Sequence, residues 1–322
     1  MRGAVPDALP HWCRHPLEIG VCPPGSIVYG HDGTEYVIVR RVLGWRYLVI
    51  PKYVMVGDII RRIVETYSAR SVVAAGEAAG VLAWEPHYAA TVPIIDVSRE
   101  AVLCCPSFGD HVILELYKVL PSLRKLIGGL THCIGLTGSL LAGHWSPRYS
   151  DVDIIVNTDY ECIQVLRELA EKLQGLEGLE KESWLKKEAE KRNMPVSVIK
   201  SMASGWQRVM LDGHVVSLAP VSVARRVTEE DRWFFPPLSG RSSLRRLCLE
   251  QWHPALGDYP VVLETEDSCL VLYDGFYAPR LLEGGCFEAH GPLIDVVQHG
   301  RSPLRGCIAV GGREGGYLKP LP

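Results

Sequence analysis

The segment that most constrains this chain is an apolar run that contains two closely spaced acids, Ser150-Asp-Val-Asp-Ile-Ile-Val156. Its β-branched residues predict a strand. Because side chains alternate along a strand, Asp151 and Asp153 project from the same face, roughly 6.5–7 Å apart at Cα. Ordinary sheets avoid two adjacent acids without counter-charges. The pattern therefore favours a functional pair of carboxylates over a merely polar start to a strand.

A short turn, Gly138-Ser139, lies upstream of this strand. It carries no bulky side chain, so its backbone N–H groups and one hydroxyl could hold a triphosphate. Two carboxylates on one rigid face can bridge a pair of Mg²⁺ ions about 3.5–4 Å apart, the arrangement that clamps both oxygens of an in-line phosphoryl displacement. We therefore expect Asp151 and Asp153 to bind Mg²⁺ (or Mn²⁺), and Gly138 and Ser139 to bind nucleotide.

Gly138-Ser139, eleven residues and then Asp151-x-Asp153 resemble the active-site motif of the DNA polymerase β superfamily of nucleotidyltransferases. The order of regions along the chain is also similar to that of archaeal predicted nucleotidyltransferases. The resemblance implies an α+β fold and transfer of a nucleoside monophosphate from an NTP to a hydroxyl, with release of pyrophosphate. The acceptor stays open among an RNA or DNA end, a protein and a small molecule.

Active members of that superfamily usually carry a third carboxylate on a neighbouring strand. The corresponding strand here is His214–Val221, and the expected position is Ser217, a poor ligand for Mg²⁺. Three alternatives follow. Asp212 reaches in from the preceding turn, although it also suits an Asp-Gly hairpin; Glu264 or Asp267 supplies the ligand; or the site binds nucleotide or nucleic acid without efficient transfer.

Basic residues provide further candidates for phosphate contacts. Arg148 lies in the loop before the acids and Arg208 lies just ahead of the His214 strand; either could neutralise phosphate, and a loop arginine could equally be solvated. A basic and aromatic stretch from residue 40 to 53 could form a nucleic-acid face. Strands with solvated outer charges are the favoured interpretation of that stretch.

The pattern of elements predicts three domains. Residues 1–95 form a small α+β module with strands at 26–29, 36–39 and 47–50 and a helix from 57 to 67. Residues 96–230 form the nucleotidyltransferase domain, with helices at about 109–127 and 160–173 and an exposed, salt-bridged helix at 177–192. Residues 231–322 are β-rich and barrel-like.

The composition sets the remaining expectations. The 322 residues carry a formal charge of −3, which gives no bulk attraction to nucleic acid. No apolar run approaches the roughly 20 residues of a membrane span, so we expect a cytoplasmic protein. Only two asparagines and five glutamines favour a thermophilic origin, in which ten cysteines are tolerable as disulfides. Cys13 with Cys22 and Cys286 with Cys307 are possible pairs.

Overall fold

The computed structural model describes residues 9–56, 59–64, 69–98, 101–159, 161–223, 232–235, 242–265, 268–298, 301–312 and 315–321. They form an α+β structure, as predicted from the sequence, and the strands are arranged in three sheets. The nine helices of this described part are α1 (Pro16–Ile19), α2 (Ala69–Ala78), α3 (Asp110–Val119), α4 (Leu123–Ile127), α5 (Gly138–Ala142), α6 (Cys162–Lys172), α7 (Gly178–Arg192), α8 (Val196–Met202) and α9 (Ala278–Leu282).

The first sheet has seven strands in the order β5-β6-β3-β2-β1-β7, with β4 paired to β3. The strands are β1 (Ile27–Gly30), β2 (Thr34–Leu43), β3 (Arg46–Val56), β4 (Ile59–Arg62), β5 (Leu82–Glu85), β6 (Ala90–Asp96) and β7 (Ala101–Cys105). The three strands predicted in this region are confirmed. Strand β7 follows residue 95, the predicted end of the first domain, and yet belongs to this sheet because it pairs with β1.

The predicted helix from 57 to 67 is wrong over its described residues. Ile59–Arg62 is a strand whose backbone pairs with β3, and Ile59 is 70% exposed. Apolar residues at helical spacing stabilise a helix only when a core covers them, and here the edge of β3 supplies hydrogen bonds instead. Residues 57–58 and 65–68 lie outside the described residues.

The second sheet carries the acidic pair. Its order is β10-β11-β9-β8, from β8 (Ile134–Thr137), β9 (Val152–Asn157), β10 (Arg208–Leu211) and β11 (His214–Val221). Strands β9 and β11 are parallel and the other two pairs are antiparallel. The apolar residues of β9 are buried between helices and the rest of the core, which explains why they extend without interruption after Asp153.

One long helix was expected over residues 109–127, but two short helices, α3 and α4, occupy this span. The break falls at Leu120, which has φ −125° and ψ 71°. Leu120 precedes Pro121, and the ring of a proline excludes the helical conformation from the residue before it.

The third sheet contains the C-terminal strands in the order β12-β16-β17-β15-β14, with β13 and β18 also paired to β16. The strands are β12 (Arg232–Phe235), β13 (Ser242–Leu249), β14 (Val261–Glu264), β15 (Cys269–Leu272), β16 (Gly285–Gln298), β17 (Leu304–Val310) and β18 (Tyr317–Pro320). The expected β-rich region is present. Within the described residues these strands do not close into a barrel, because the edge strands β12 and β14 do not pair with each other.

All ten cysteines form disulfides, but neither proposed pair is among them. The bonds are Cys13–Cys105, Cys22–Cys104, Cys133–Cys162, Cys248–Cys286 and Cys269–Cys307. Strand pairing decides the partners: Cys248 lies opposite Cys286 across β13 and β16. No helix of the described chain has the length and apolar character needed to cross a bilayer.

Candidate active site

The two acids lie on the wall of a large cleft. Its volume is about 1720 Å³, and it is lined by residues of the first two sheets, of α7 and of segments that connect the strands of the third sheet. Asp151 immediately precedes β9, and Asp153 lies within this strand. Thr137, at the end of β8, and Ser139, in α5, line the same cleft. The Gly-Ser turn and the acidic pair predicted from the sequence are therefore brought together.

Gly138 lies directly against Asp153. It begins α5 with φ 70°, a conformation that favours glycine. A Cβ at this position would overlap Oδ2 of Asp153, so only a residue without a side chain leaves the carboxylate its space. Two carboxylates on one sheet face beside such a space fit a hard cation that prefers oxygen ligands, as Mg²⁺ does.

The N-terminal sheet holds the helix that carries Ser139. The hydroxyl of Tyr29 donates to the carbonyl oxygen of Ala142 at 3.2 Å, and the ring Nε2 of His144 lies 2.9 Å from Oε2 of buried Glu35. Burial and the nearby charge of Glu35 raise the pKa of Tyr29, which keeps its hydroxyl protonated as a donor. These contacts fix the end of α5 and thereby the turn at its beginning.

Cations surround the acids. The guanidinium of Arg208 forms a salt bridge with Asp151, and Lys52, Arg62 and Arg70 from the N-terminal region line the same cleft. Burial raises the pKa of Asp153, and the charge of Asp151 adds to the increase, while Lys52, Arg208 and Arg62 oppose it. Lys52, Arg62 and Arg208 thus place positive charge near the two carboxylates, which suits a polyanionic ligand.

Arg208 lines the cleft. It was predicted to contact phosphate, and in the structure it pairs with Asp151. The sequence did not single out Lys52, Arg62 or Arg70 for this site. Lys52 belongs to the basic stretch for which a solvated outer face was favoured, yet it is only 7% exposed. Its position between Pro51 and Tyr53 in an apolar strand is the one sequence signal of this burial.

Of the four other candidates, three lie elsewhere and one is outside the described residues. Arg148 is exposed in its loop and does not line the cleft. Asp212 accepts hydrogen bonds from the backbone N–H and the hydroxyl of Ser122, at 2.8 and 2.6 Å, so its carboxylate serves a neighbouring turn. Glu264 is exposed at the end of β14, and Asp267 lies outside the described residues.

Ser217 occupies the position where a third acid was expected. It pairs in register with Asp153 across β11 and β9, and with Arg208 across β11 and β10. Within the described residues, the one cluster of three potential ligand side chains is His132, Cys133 and Cys162, whose two sulfurs form a disulfide. No third described carboxylate therefore completes the pair.

Residues of α7 and of the C-terminal region also line the cleft. Arg192 donates two hydrogen bonds to Asp274, at 2.6 and 2.8 Å, and pairs with Glu188. Its guanidinium also lies 4.2 Å from the ring centroid of Phe276. The prediction that α7 is simply an exposed helix is corrected here, since Glu188 and its neighbour Ala189 are buried against the core.

Comparisons of the chain with models of known protein families, with curated protein sequences and with solved structures found no match.

Proposed function

We propose that this protein is a metal-dependent nucleotidyltransferase of the DNA polymerase β type, which moves a nucleoside monophosphate from an NTP to a hydroxyl acceptor. The observation that carries the proposal is the meeting of Asp151 and Asp153 with the Gly138-Ser139 turn in one cleft. The proposal includes a nucleotidyltransferase-type sheet formed by β8 to β11 and a cytoplasmic, thermophilic protein.

Each group has a defined role in this proposal. Asp151 and Asp153 would hold Mg²⁺ (or Mn²⁺), which would supply positive charge to the phosphates. The turn at Gly138 and Ser139 offers backbone N–H groups and a hydroxyl to the triphosphate. Lys52 and Arg208 add positive charge beside the phosphates, so that catalysis comes from positioning and electrostatic stabilisation.

A second candidate is a nucleotide-binding or nucleic-acid-binding protein that retains the site without efficient turnover. Ser217, which stands in register with Asp153 where a third acid would lie, favours it. A neutral hydroxyl is a weaker ligand for Mg²⁺ than a carboxylate.

One assay separates the two candidates. The protein is incubated with Mg²⁺ or Mn²⁺ and labelled NTPs, in the presence of tRNA, short DNA or no added acceptor, and nucleotide binding, pyrophosphate release and label transfer are followed. Release that Asp153→Ala abolishes supports the transferase. Nucleotide binding without release under either metal supports the binding protein, and the absence of binding contradicts both.

A further inference from the structure

Two exposed apolar side chains line the same cleft as the acidic pair. Tyr149 is 85% exposed and Leu179 is 84% exposed, the highest values among the large apolar side chains of the described residues. Both belong to the lining of the cleft. Exposed apolar side chains that gather at one site mark a surface that binds a partner. The cleft therefore offers an apolar contact to a second ligand, besides the nucleotide of the proposed function.

These two side chains belong to segments that meet at the acids. Tyr149 lies in the loop that leads to Asp151. Leu179 lies in the first turn of α7, shortly after Leu176, whose backbone N–H donates to the carbonyl oxygen of Arg208 at 3.0 Å. Arg208 in turn pairs with Asp151. A ligand that contacts Tyr149 or Leu179 thus lies beside the place where the transfer is proposed to occur.

We propose that the acceptor is a hydroxyl group of a polypeptide, on a serine, threonine or tyrosine whose neighbours contact Tyr149 and Leu179. This inference rests on the proposed function and selects one of the acceptors that it leaves open. In the transfer, the hydroxyl oxygen forms a bond to the α-phosphorus of the NTP, and the bond from that phosphorus to the oxygen bridging it to the β-phosphorus breaks. Pyrophosphate leaves with the bridging oxygen, and the hydroxyl proton passes to solvent.

The charges of α7 disfavour a polynucleotide as acceptor. The exposed charged residues of this helix in the cleft lining are two acids and one base, Glu180, Glu190 and Lys187. Lys191 and Arg192, at the end of the helix, are both paired with Glu188. Binding of a nucleic acid depends mainly on cations that neutralise its backbone phosphates, and the exposed charges of α7 do not supply them. Leu179 also has no ring on which a base could stack.

The size and chemistry of the cleft suit a segment of polypeptide. Its volume of about 1720 Å³ exceeds the roughly 300–1,000 Å³ that is typical of small-molecule sites, so an extended segment fits beside a nucleotide. An apolar side chain of the segment covers Tyr149 and Leu179, and a lysine or arginine next to it pairs with Glu180 or Glu190. We therefore expect an acceptor hydroxyl with apolar and basic neighbours.

The first measurement tests the acceptor directly. NTPs labelled at the α-phosphate are incubated with the protein, Mg²⁺ or Mn²⁺, and short peptides that carry one central serine, threonine or tyrosine between leucines and lysines. Matched peptides have glutamate in place of lysine, and tRNA and short DNA are the competing acceptors. Label is expected in the lysine peptides, about tenfold less in the glutamate peptides, and none in tRNA or DNA. Absence of label from every peptide overturns this inference, and label in tRNA or DNA at the same time leaves the proposed function in place.

The second measurement tests the apolar contact. Tyr149→Ser and Leu179→Ser remove it at exposed positions, and each is expected to raise the KM for the peptide about tenfold with little change in the KM for the NTP. Leu114→Ser is the matched control, because Leu114 is also exposed, at 61%, but does not line the cleft; both of its KM values should equal those of the wild type.

An unchanged KM for the peptide in both cleft variants also overturns the inference, since the transfer then proceeds without the contact. If the wild type neither binds an NTP nor releases pyrophosphate with any acceptor, the proposed function fails as well. The two failures are therefore distinguished by nucleotide binding and pyrophosphate release, which are measured in the same samples.

Discussion

The α-carbon of Gly138 packs against the carboxylate of Asp153, where any Cβ would overlap Oδ2. We therefore expect Gly138→Ala to displace Asp153 and to abolish detectable Mn²⁺ and nucleotide binding. The substitution also places alanine at φ 70°, at a cost of about 1–2 kcal/mol in unfolding free energy. Both effects are measured on the same preparation, by metal binding and by urea unfolding.

Gly128→Ala is the control that separates these two effects. Gly128 also has positive φ, 57°, but a Cβ there meets no atom within 4 Å. Its stability is expected to fall by a similar amount while metal and nucleotide binding stay at the wild-type level. Retention of binding by Gly138→Ala would show that the space beside Asp153 is not needed for a ligand.

Asp153 is expected to reduce the stability of the protein. Its pKa is raised by burial and by Asp151, so the folded chain holds this proton more strongly than the unfolded chain does. Ionisation therefore costs stability above the raised pKa, and the cost disappears as the pH falls below the ordinary carboxyl pKa. Asp153→Asn should therefore raise the unfolding free energy at neutral pH and abolish metal binding.

The pH dependence provides the check on this prediction. Thermal melts of the wild type and Asp153→Asn should converge near pH 3 and separate as the pH rises toward 7. A difference that is constant with pH would mean that the gain does not come from the charge of Asp153.

A carboxylate at position 217 should improve the site. Ser217 lines the cleft and stands in register between Asp153 and Arg208. The variant Ser217→Asp adds an anionic oxygen ligand and offers Arg208 a second partner, so Asp151 becomes more available to the metal. We expect Mn²⁺ affinity and pyrophosphate release to increase about tenfold or more. Ser217→Asn, with similar size and no charge, should show no increase; an equal gain in both variants would exclude this explanation.

Arg192 joins α7 to the C-terminal region beside the cleft through its pairs with Glu188 and Asp274. Burial alone would raise the pKa of Glu188, but Arg192 and Lys191 lower it below its ordinary value. Arg192→Met leaves Glu188 and Asp274 without their shared cation and should cost about 3 kcal/mol of unfolding free energy at neutral pH. Because a lowered carboxyl pKa stabilises the fold only while the group is ionised, the difference from the wild type should shrink as the pH falls through that range.

The control for Arg192 is Arg167→Met on α6. Arg167 and Glu171 form a salt bridge with 50% and 63% exposed side chains, and such exposed pairs contribute about 0–1 kcal/mol. Urea unfolding at pH 7 should therefore leave this variant close to the wild type. A similar small loss for Arg192→Met would show that the cluster contributes little to joining α7 with the C-terminal region.

Local patterns decided much of this protein. The alternation around Asp151 and Asp153 determines a strand with two acids on one face, and the Gly138-Ser139 turn follows from residues that tolerate positive φ and close approach. These features depend on residues that are only a few positions apart in the chain, so they can be predicted from the sequence. The strands at residues 26 to 50 and the helices α6 and α7 were predictable for the same reason.

Only the tertiary structure decided what surrounds the acids. Lys52 lies in the cleft because the first sheet packs against the second. Asp212 does not line the cleft, because its carboxylate accepts hydrogen bonds from Ser122, 90 positions earlier in the chain. The disulfide partners likewise depend on which strands become neighbours. Contacts between distant segments depend on the packing of whole sheets, and the free energy of that packing is spread over many residues, so no local pattern specifies them.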